Sequence, residues 1–332
     1  MSRRLILVTG GAGFIGSNII ADLADDDDLE IAVCDRLREA ALGKWRNLAK
    51  HRIADFVPPE DLPAWLEGRG RQAEAVIHMG AVSSTTERDA DKIVQVNFGL
   101  SRDLFVWCAA NARRFIWASS AATYGTGADD FDDDPSPAAL AALRPLNAYG
   151  WSKAMFDLFA IRRAEEGRAP PQWAGLKFFN VYGPNEGHKG EMRSVACKIW
   201  PGIVQGKPIR LFKSYRHGVP DGAQKRDFVY VRDAARAVSW LFRTPDVNGL
   251  FNLGSGEART FADLASAMSA AAGRRPEIDF IDMPLELRGQ YQYYTRAPMD
   301  RLRAAGFTAP PTRLEDGLAD YVKFLTSADP HR

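Results

Sequence analysis

The sequence predicts an α/β fold in which a doubly wound parallel sheet carries a smaller C-terminal lobe. Three observations lead there. Short apolar runs alternate with helical patterns through the first half of the chain, the order that parallel strands joined by right-handed crossovers produce. The string Gly10-Gly11-Ala12-Gly13-Phe14-Ile15-Gly16 follows the apolar run Leu5-Ile6-Leu7-Val8 and precedes a helical pattern through Leu23. That strand, turn and helix setting is the one in which glycines cradle a dinucleotide pyrophosphate. Finally, 332 residues, 46% of them hydrophobic, suffice for a large core and two lobes without disulfide staples. The class is therefore Rossmann-type.

In chain order, residues 5–8, 30–34, 75–78 and 115–118 read as strands, with helical stretches at 17–24, 91–110 and 152–166. Residues 175–179 read as a further strand, left through a turn at Asn180-Val181-Tyr182-Gly183-Pro184. A helix at 193–205 ends in Gly206-Lys207-Pro208, and the polar stretch 213–225, with Gly218, Pro220 and Gly222, reads as a flexible loop and a candidate lid. A short strand at 226–231, a helix at 232–243 and a final short strand at 251–253 follow. The division predicted is a dinucleotide-binding domain at 1–176, to which the chain returns at about 226–255, and a substrate lobe made mainly of 177–332. The acidic stretch 129–134 reads as a solvated surface loop without chemistry.

Composition excludes several classes. Lys plus Arg (43) nearly cancels Asp plus Glu (42), so net charge gives no reason to expect nucleic acid or a membrane surface as partner. Cys34, Cys108 and Cys197 are odd in number and widely spaced, which fits neither a disulfide framework nor a zinc pattern. No stretch approaches the about 18 apolar residues of a membrane span. These features predict a reducing, cytoplasmic setting and no metal site.

Gly10, Gly13 and Gly16 differ by one residue of spacing from the commonest dinucleotide fingerprint, so context decides. Asp35 ends the second predicted strand 19 residues after Gly16, the distance at which a carboxylate meets adenine ribose hydroxyls. Arg36 follows at once and Lys44 lies further on, cations suited to a 2′-phosphate. The residues thus point to both NAD and NADP. Tyr149 and Lys153, four apart, share one helix face if 152–166 extends backwards, where the ammonium group can depress the phenol's pKa. Ser119-Ser120 directly follows the strand 115–118, placing hydroxyls at the carboxyl edge of the sheet. There a hydroxyl holds a substrate oxygen while Tyr149 moves its proton and Lys153 anchors the ribose. His78, at a strand end, reads as packed or cofactor-adjacent, and Lys189 taken alone as an exposed loop cation.

With these residues in view the chain resembles the extended short-chain dehydrogenase/reductase family, and within it the nucleotide-sugar epimerases. The resemblance covers nearly the whole chain. Its markers are Ser83-Ser84-Thr85-Thr86-Glu87, residues 119–125, residues 149–153, Phe179 to Pro184 continuing through Glu186-Gly187-His188-Lys189-Gly190, Lys225-Arg226-Asp227-Phe228-Val229-Tyr230, and residues 289–295. It implies inversion of C6 in an ADP-linked heptose for lipopolysaccharide core synthesis, with Tyr149 and Lys189 as acid/base groups, Ser120 as their hydroxyl partner and Lys153 as cofactor anchor. It also implies cofactor contacts at Phe14, Ile15, Asp35, Arg36, Lys44, Met79, Gly80, Ala81, Val82, Ser83, Asn97, Val181 and Lys189. Substrate contacts are implied at Ser84, Asn180, Glu191, Lys198, Phe212, Lys213, Ser214, Tyr215, Arg226 and Tyr291. One tightly bound NADP per subunit, with NAD as the alternative, and a homo-oligomer, a pentamer among the choices, complete what it implies. Arg36, Glu191, Lys198 and Pro59 stand where the family pattern has Asn, Ser, His and Lys.

An epimerase of this kind removes a hydride from a carbinol carbon, keeps the ketone bound and returns the hydride to the opposite face. Two proton donors then serve the two stereochemical outcomes. A 4,6-dehydratase needs an Asp-Glu pair after the active-site hydroxyl, where this chain has Ala121-Ala122. A UDP-hexose 4-epimerase and a non-catalytic dinucleotide sensor remain as alternatives; an intact Ser120, Tyr149 and Lys153 argues against the sensor.

Overall fold

Leu5 and Leu7 of the first strand pack into one core, Ile6 and Val8 into another, because side chains alternate along a strand and helices cover both faces of the sheet. The computed structural model describes residues 3–38, 41, 43–127, 130–289 and 291–332. Its strands are β1 (Arg4–Thr9), β2 (Leu29–Cys34), β3 (Asp55–Val57), β4 (Ala73–His78), β5 (Arg114–Ser120), β6 (Trp173–Phe178), β7 (Asn180–Tyr182), β8 (Ile209–Phe212), β9 (Lys225–Tyr230), β10 (Gly249–Leu253), β11 (Ala258–Thr260) and β12 (Ile278–Ile281). Seven form one parallel sheet in the order β10-β6-β5-β4-β1-β2-β3. The winding reverses between β1 and β4, and it is outside the carboxyl ends of such a pair that a ligand crevice opens.

Helices Phe14–Leu23 and Val231–Arg243 pack together on one face, burying Ile19, Ile20, Val238 and Leu241. On the other face Leu100–Ala110 and Ala148–Glu165 bury Leu104, Phe105 and Phe156 against Phe115 and Trp117. A third core, around Ile199, Ile203, Leu211, Phe228, Leu264, Met268 and Leu318, holds the smaller lobe. That lobe is built on the three-stranded sheet β11-β9-β7, the parallel pair β12-β8, and helices Val195–Val204, Phe261–Ala271 and Leu314–Thr326.

Several expectations need correction. Asn180–Tyr182 is not a turn but β7, paired in parallel with β9. The strand expected at 251–253 is β10, Gly249–Leu253, and is not the final one, since β11 and β12 follow it. The helical stretch 91–110 is broken by a π-helical turn, Val94–Gly99. The acidic stretch is only partly solvated: Asp129 lies outside the described residues, Asp132 and Asp134 are exposed, but Phe131 and Asp133 are buried. Phe131 packs edge-on against Tyr124 and Phe179, and Asp133 accepts the backbone N–H of Asn252 at 2.8 Å. Within the described residues no helix is long and apolar enough to cross a membrane, and Cys34, Cys108 and Cys197 are buried free thiols.

Candidate active site

At the reversal point β1 and β4 end side by side: Met79 N–H donates to the Thr9 carbonyl at 3.0 Å and Gly80 N–H to the Thr9 hydroxyl at 3.2 Å. Gly10 has a left-handed backbone (φ 66°), and a Cβ there would lie 2.6 Å from the Gly80 nitrogen. A Cβ on Gly16 would collide with the Gly10 carbonyl. Only glycines let the strand, turn and helix approach this closely. The helix Phe14–Leu23 begins at Gly13 with no side-chain cap and no acidic residue in its first turn. Its free N–H groups and positive dipole end suit a diphosphate, so this corner fits a dinucleotide.

Asp35 braces the turn: one carboxylate oxygen accepts the Ala12 N–H at 2.9 Å and the other accepts Lys44 Nζ at 2.6 Å. Gly10, Gly13, Phe14, Ile15, Gly16, Asp35, Lys44 and residues 79–84 all line the crevice, together with Arg38, which the sequence reading overlooked. Arg36 does not line it. Two-thirds exposed, its guanidinium pairs with Glu60 at 3.2 Å. Asn97 is buried off the crevice and acts as a brace. Its amide exchanges hydrogen bonds with the N–H and C=O of Val82 (2.8 and 3.0 Å) and donates to Ser152 Oγ at 3.1 Å, which in turn donates to the Tyr149 carbonyl at 2.7 Å. The loop 79–84 is thereby tied to the helix that carries Tyr149. His78 is locked between Thr9 and Ser101 hydroxyls at 2.6 and 2.8 Å, and burial pushes its pKa down to about 3, so it is a neutral packing residue.

Ser120 ends β5 and its hydroxyl accepts the Ala122 N–H at 3.1 Å, starting the short turn Ala121–Tyr124. The helix Ala148–Glu165 is capped by Asn147, whose side chain accepts the Gly150 N–H at 2.9 Å. A Cβ on Gly150 would stand 2.5 Å from the Ala122 carbonyl, so glycine lets this helix start press against the Ser120 turn. Lys153 is buried and donates to the Ala118 carbonyl at 2.8 Å. Burial lowers its pKa to about 8, with Asp157 opposing. Burial also raises the Tyr149 phenol above its ordinary 10, and the Ser120 hydroxyl offsets part of that rise. Here the expectation is corrected: the protein alone does not depress the phenol's pKa, because desolvation, with the charge of Asp157 acting in the same direction, outweighs the Ser120 hydrogen bond.

Lys189 sits in the turn Gly187–Met192 with Nζ 5.0 Å over the Phe14 ring, and burial lowers its pKa against the opposing charge of Glu186. It is not a free loop cation. Buried Glu186 clasps both ends of the segment, accepting the Gly183 N–H at 3.3 Å and the Ser194 hydroxyl at 2.7 Å. Asn18 donates to the Pro184 carbonyl at 3.0 Å and Asn185 to Ser17 at 3.0 Å, fastening the segment to the dinucleotide-side helix.

From Lys189 a second cleft of about 600 Å³ runs into the smaller lobe, lined by Ser120, Tyr149, Lys153, Asn180, Val181, Lys198, Phe212, Arg226 and Tyr291. Arg226 is buried, 5.0 Å over the Tyr291 ring and 5.5 Å over the Phe261 ring. Among the described residues no carboxylate pairs with it, so the cleft holds a desolvated cation ready for an anion. Arg193, Arg210 and Gln224 also line this cleft and were missed; Arg193 follows the marker around Lys189 by only a few positions, a signal within reach. Glu191, Lys213, Ser214 and Tyr215 are not on its walls. Glu191 pairs with Lys198 at 3.4 Å, Lys213 and Tyr215 hold Asp282 at 3.1 and 3.0 Å, and Ser214 donates to the Arg216 carbonyl. The described residues contain no cluster of three or more metal-ligating side chains.

Sheet order, glycine turn and double cleft narrow the class of protein: the chain belongs to the NAD dependent epimerase/dehydratase family, whose profile matches residues 6–254. Its cofactor class is accordingly a nicotinamide dinucleotide. More particularly, it is 48% identical to an ADP-L-glycero-D-manno-heptose-6-epimerase of Nitratidesulfovibrio vulgaris, over 98% of this chain and 99% of the relative. The enzyme of that name from Fusobacterium nucleatum is 42% identical over 98% of this chain and 99% of its own. Among solved structures, the Helicobacter pylori ADP-L-glycero-D-manno-heptose-6-epimerase matches with a TM-score of 0.81 and 25% identity, covering 98% of this chain and 97% of that one. A Thermus thermophilus UDP-glucose 4-epimerase in complex with NAD matches at 0.77 and 27%, covering 98% of this chain and 99% of that one.

Proposed function

We propose that the chain is an isomerase that interconverts ADP-D-glycero-D-manno-heptose and ADP-L-glycero-D-manno-heptose by inverting C6, a step in lipopolysaccharide core synthesis. The observation that carries this reading is that Tyr149 and Lys189, on separate elements, line one cleft together. When bound, the nicotinamide supplies a hydride acceptor that returns what it takes, so no net redox occurs. Tyr149, as the phenolate that the positive charges of Lys153 and of the bound oxidised cofactor would stabilise, takes the proton of the C6 hydroxyl, with the Ser120 hydroxyl hydrogen-bonded to it. Arg226 forks onto the substrate diphosphate, leaving the ketone room to present its other face. Lys189 then supplies the proton for the second outcome.

The test is NMR of either epimer incubated with dinucleotide-loaded protein and no added cofactor. Formation of the same two-epimer mixture from both sides is expected. Loaded protein that leaves both untouched overturns the reading, and full turnover of a UDP-hexose instead replaces it with a 4-epimerase.

The cofactor we propose is NADP. Asp35 opposes a 2′-phosphate by charge, but its carboxylate is already neutralised by Lys44 at 2.6 Å and by the Ala12 N–H. Arg38 lines the same wall, whereas Arg36 is committed to Glu60. A charged hydrogen bond contributes about 1.5 to 3 kcal/mol, so Arg38→Ala is expected to weaken NADP binding about tenfold or more and to leave NAD nearly unchanged. Arg36→Ala is expected to discriminate little. Calorimetric titration of both cofactors checks this; equal losses for NAD and NADP in Arg38→Ala refute it.

A further inference from the structure

Behind the cleft wall, Asp157 and Lys177 form an ion pair at 3.3 Å in which both side chains are 0% exposed. Asp157 lies four residues beyond Lys153, itself four beyond Tyr149, so the three occupy one face of the helix Ala148–Glu165. The carboxylate is fully used. One oxygen accepts the Trp117 indole N–H at 3.1 Å and the other the Ser119 hydroxyl at 2.6 Å, both from β5, the strand that ends on Ser120. Lys177, from β6, donates to the Thr123 hydroxyl at 2.9 Å and stands 4.6 Å over the Tyr124 ring. Removing two charges from water is costly, and a well-packed apolar pair is often as stable, so stability alone gives no reason to keep this one.

We propose that Asp157 is a positioning residue for the reaction: it keeps Lys153 charged beneath Tyr149 and holds the Ser120 end of β5 against that helix, while Lys177 limits the strength of its field. The proposal rests on the roles given to Tyr149 and Lys153 above. Among the described residues, Asp157 from its own helix is the charge that acts on Lys153, and the same carboxylate also pushes the Tyr149 phenol up. His78 from β4 is neutral, and Lys177 from β6 is paired with Asp157, with Asp133 acting on Lys177. Burial lowers the pKa of both lysines and Asp157 opposes it in both. Lys153 loses its charge as pH rises through its pKa. Removing the carboxylate therefore brings that loss to lower pH, and removing Lys177 moves it to higher pH.

The experiment follows epimerisation rate and, independently, the dissociation constant of the nicotinamide dinucleotide against pH, in the full chain and in Asp157→Asn, Lys177→Met and the double variant. The alkaline limb is expected to fall by about one pH unit or more in Asp157→Asn and to rise in Lys177→Met, with the double variant between them. Shifts in the same direction, or unmoved limbs in folded protein, overturn the proposal. If Asp157→Asn does not fold, the rise in Lys177→Met and recovery of the wild-type limb in Asp157→Glu decide it, and absence of both refutes it. Because the binding measurement needs no sugar, a wrong substrate assignment leaves it readable.

Discussion

Tyr149→Phe is expected to lower epimerisation by about 10²- to 10⁴-fold, about 3 to 5 kcal/mol of barrier, while the protein stays folded and retains its dinucleotide. The substitution removes only the phenolic oxygen. The helix start that carries it is fixed by the Asn147 cap and by the contact of Gly150 with the Ala122 carbonyl, neither of which involves the ring's hydroxyl. The dinucleotide corner is built by Gly10, Gly16 and the uncapped end of the helix Phe14–Leu23. The loss is severe because of the balance at the site: burial has already raised the phenol's pKa, Ser120 opposes that rise, and Lys153 stays largely protonated at neutral pH with a pKa of about 8. His78 cannot take over as the base, since it is locked neutral between two hydroxyls. Rates by NMR beside the nucleotide content released on denaturation check the two halves together. Near wild-type turnover in dinucleotide-loaded Tyr149→Phe removes Tyr149 from the chemistry.

The large sheet was legible because its strands are buried on both faces and so appear as nearly unbroken apolar runs, as 5–8 and 115–118 do. The glycine turn was legible for a different reason: a left-handed Gly10 and the contact of Gly16 with Gly10 admit no other residue, so steric need is written directly into the string. What escaped depends on partners distant in sequence. β7 has three residues and exists only through its pairing with β9, and Phe131 and Asp133 are buried by Phe179 and Asn252, which no local pattern around the acidic run discloses. Arg36 was singled out because it adjoins Asp35 and Arg38 was overlooked, yet adjacency does not say which way a side chain leaves an irregular segment. Here Arg38, with a left-handed backbone, lines the crevice and Arg36 turns to Glu60. Likewise the motif containing Lys189 also contains Glu186, but only the fold brings Glu186 onto Ser194 and makes the segment a clasp.

Lys189→Met asks whether one acid/base group or two serve the inversion. Methionine keeps an unbranched chain over the Phe14 ring and removes only the charge, so the clasp made by Glu186, Asn185 and Asn18 remains. The lost cation–π contact costs about 0.5 to 1 kcal/mol, too little to unfold the segment. The proton route is another matter. Burial draws the ammonium group's pKa down from its ordinary lysine value, which eases release of its proton, and loss of a general acid removes about 10²- to 10⁴-fold of rate. Full epimerisation needs hydride exchange at both faces of the carbonyl carbon, with a proton donor beside the oxygen in each of the two orientations, so Lys189→Met is expected to fail as badly as Tyr149→Phe. Half-reactions separate them: given a seven-carbon aldehyde analogue that the bound cofactor dismutates, each variant is expected to handle only the configuration served by the group it keeps. A double variant then loses both. If Lys189→Met epimerises at a near-normal rate, Tyr149 alone carries both protons, and the buried clasp around Lys189 serves to hold substrate rather than to move a proton.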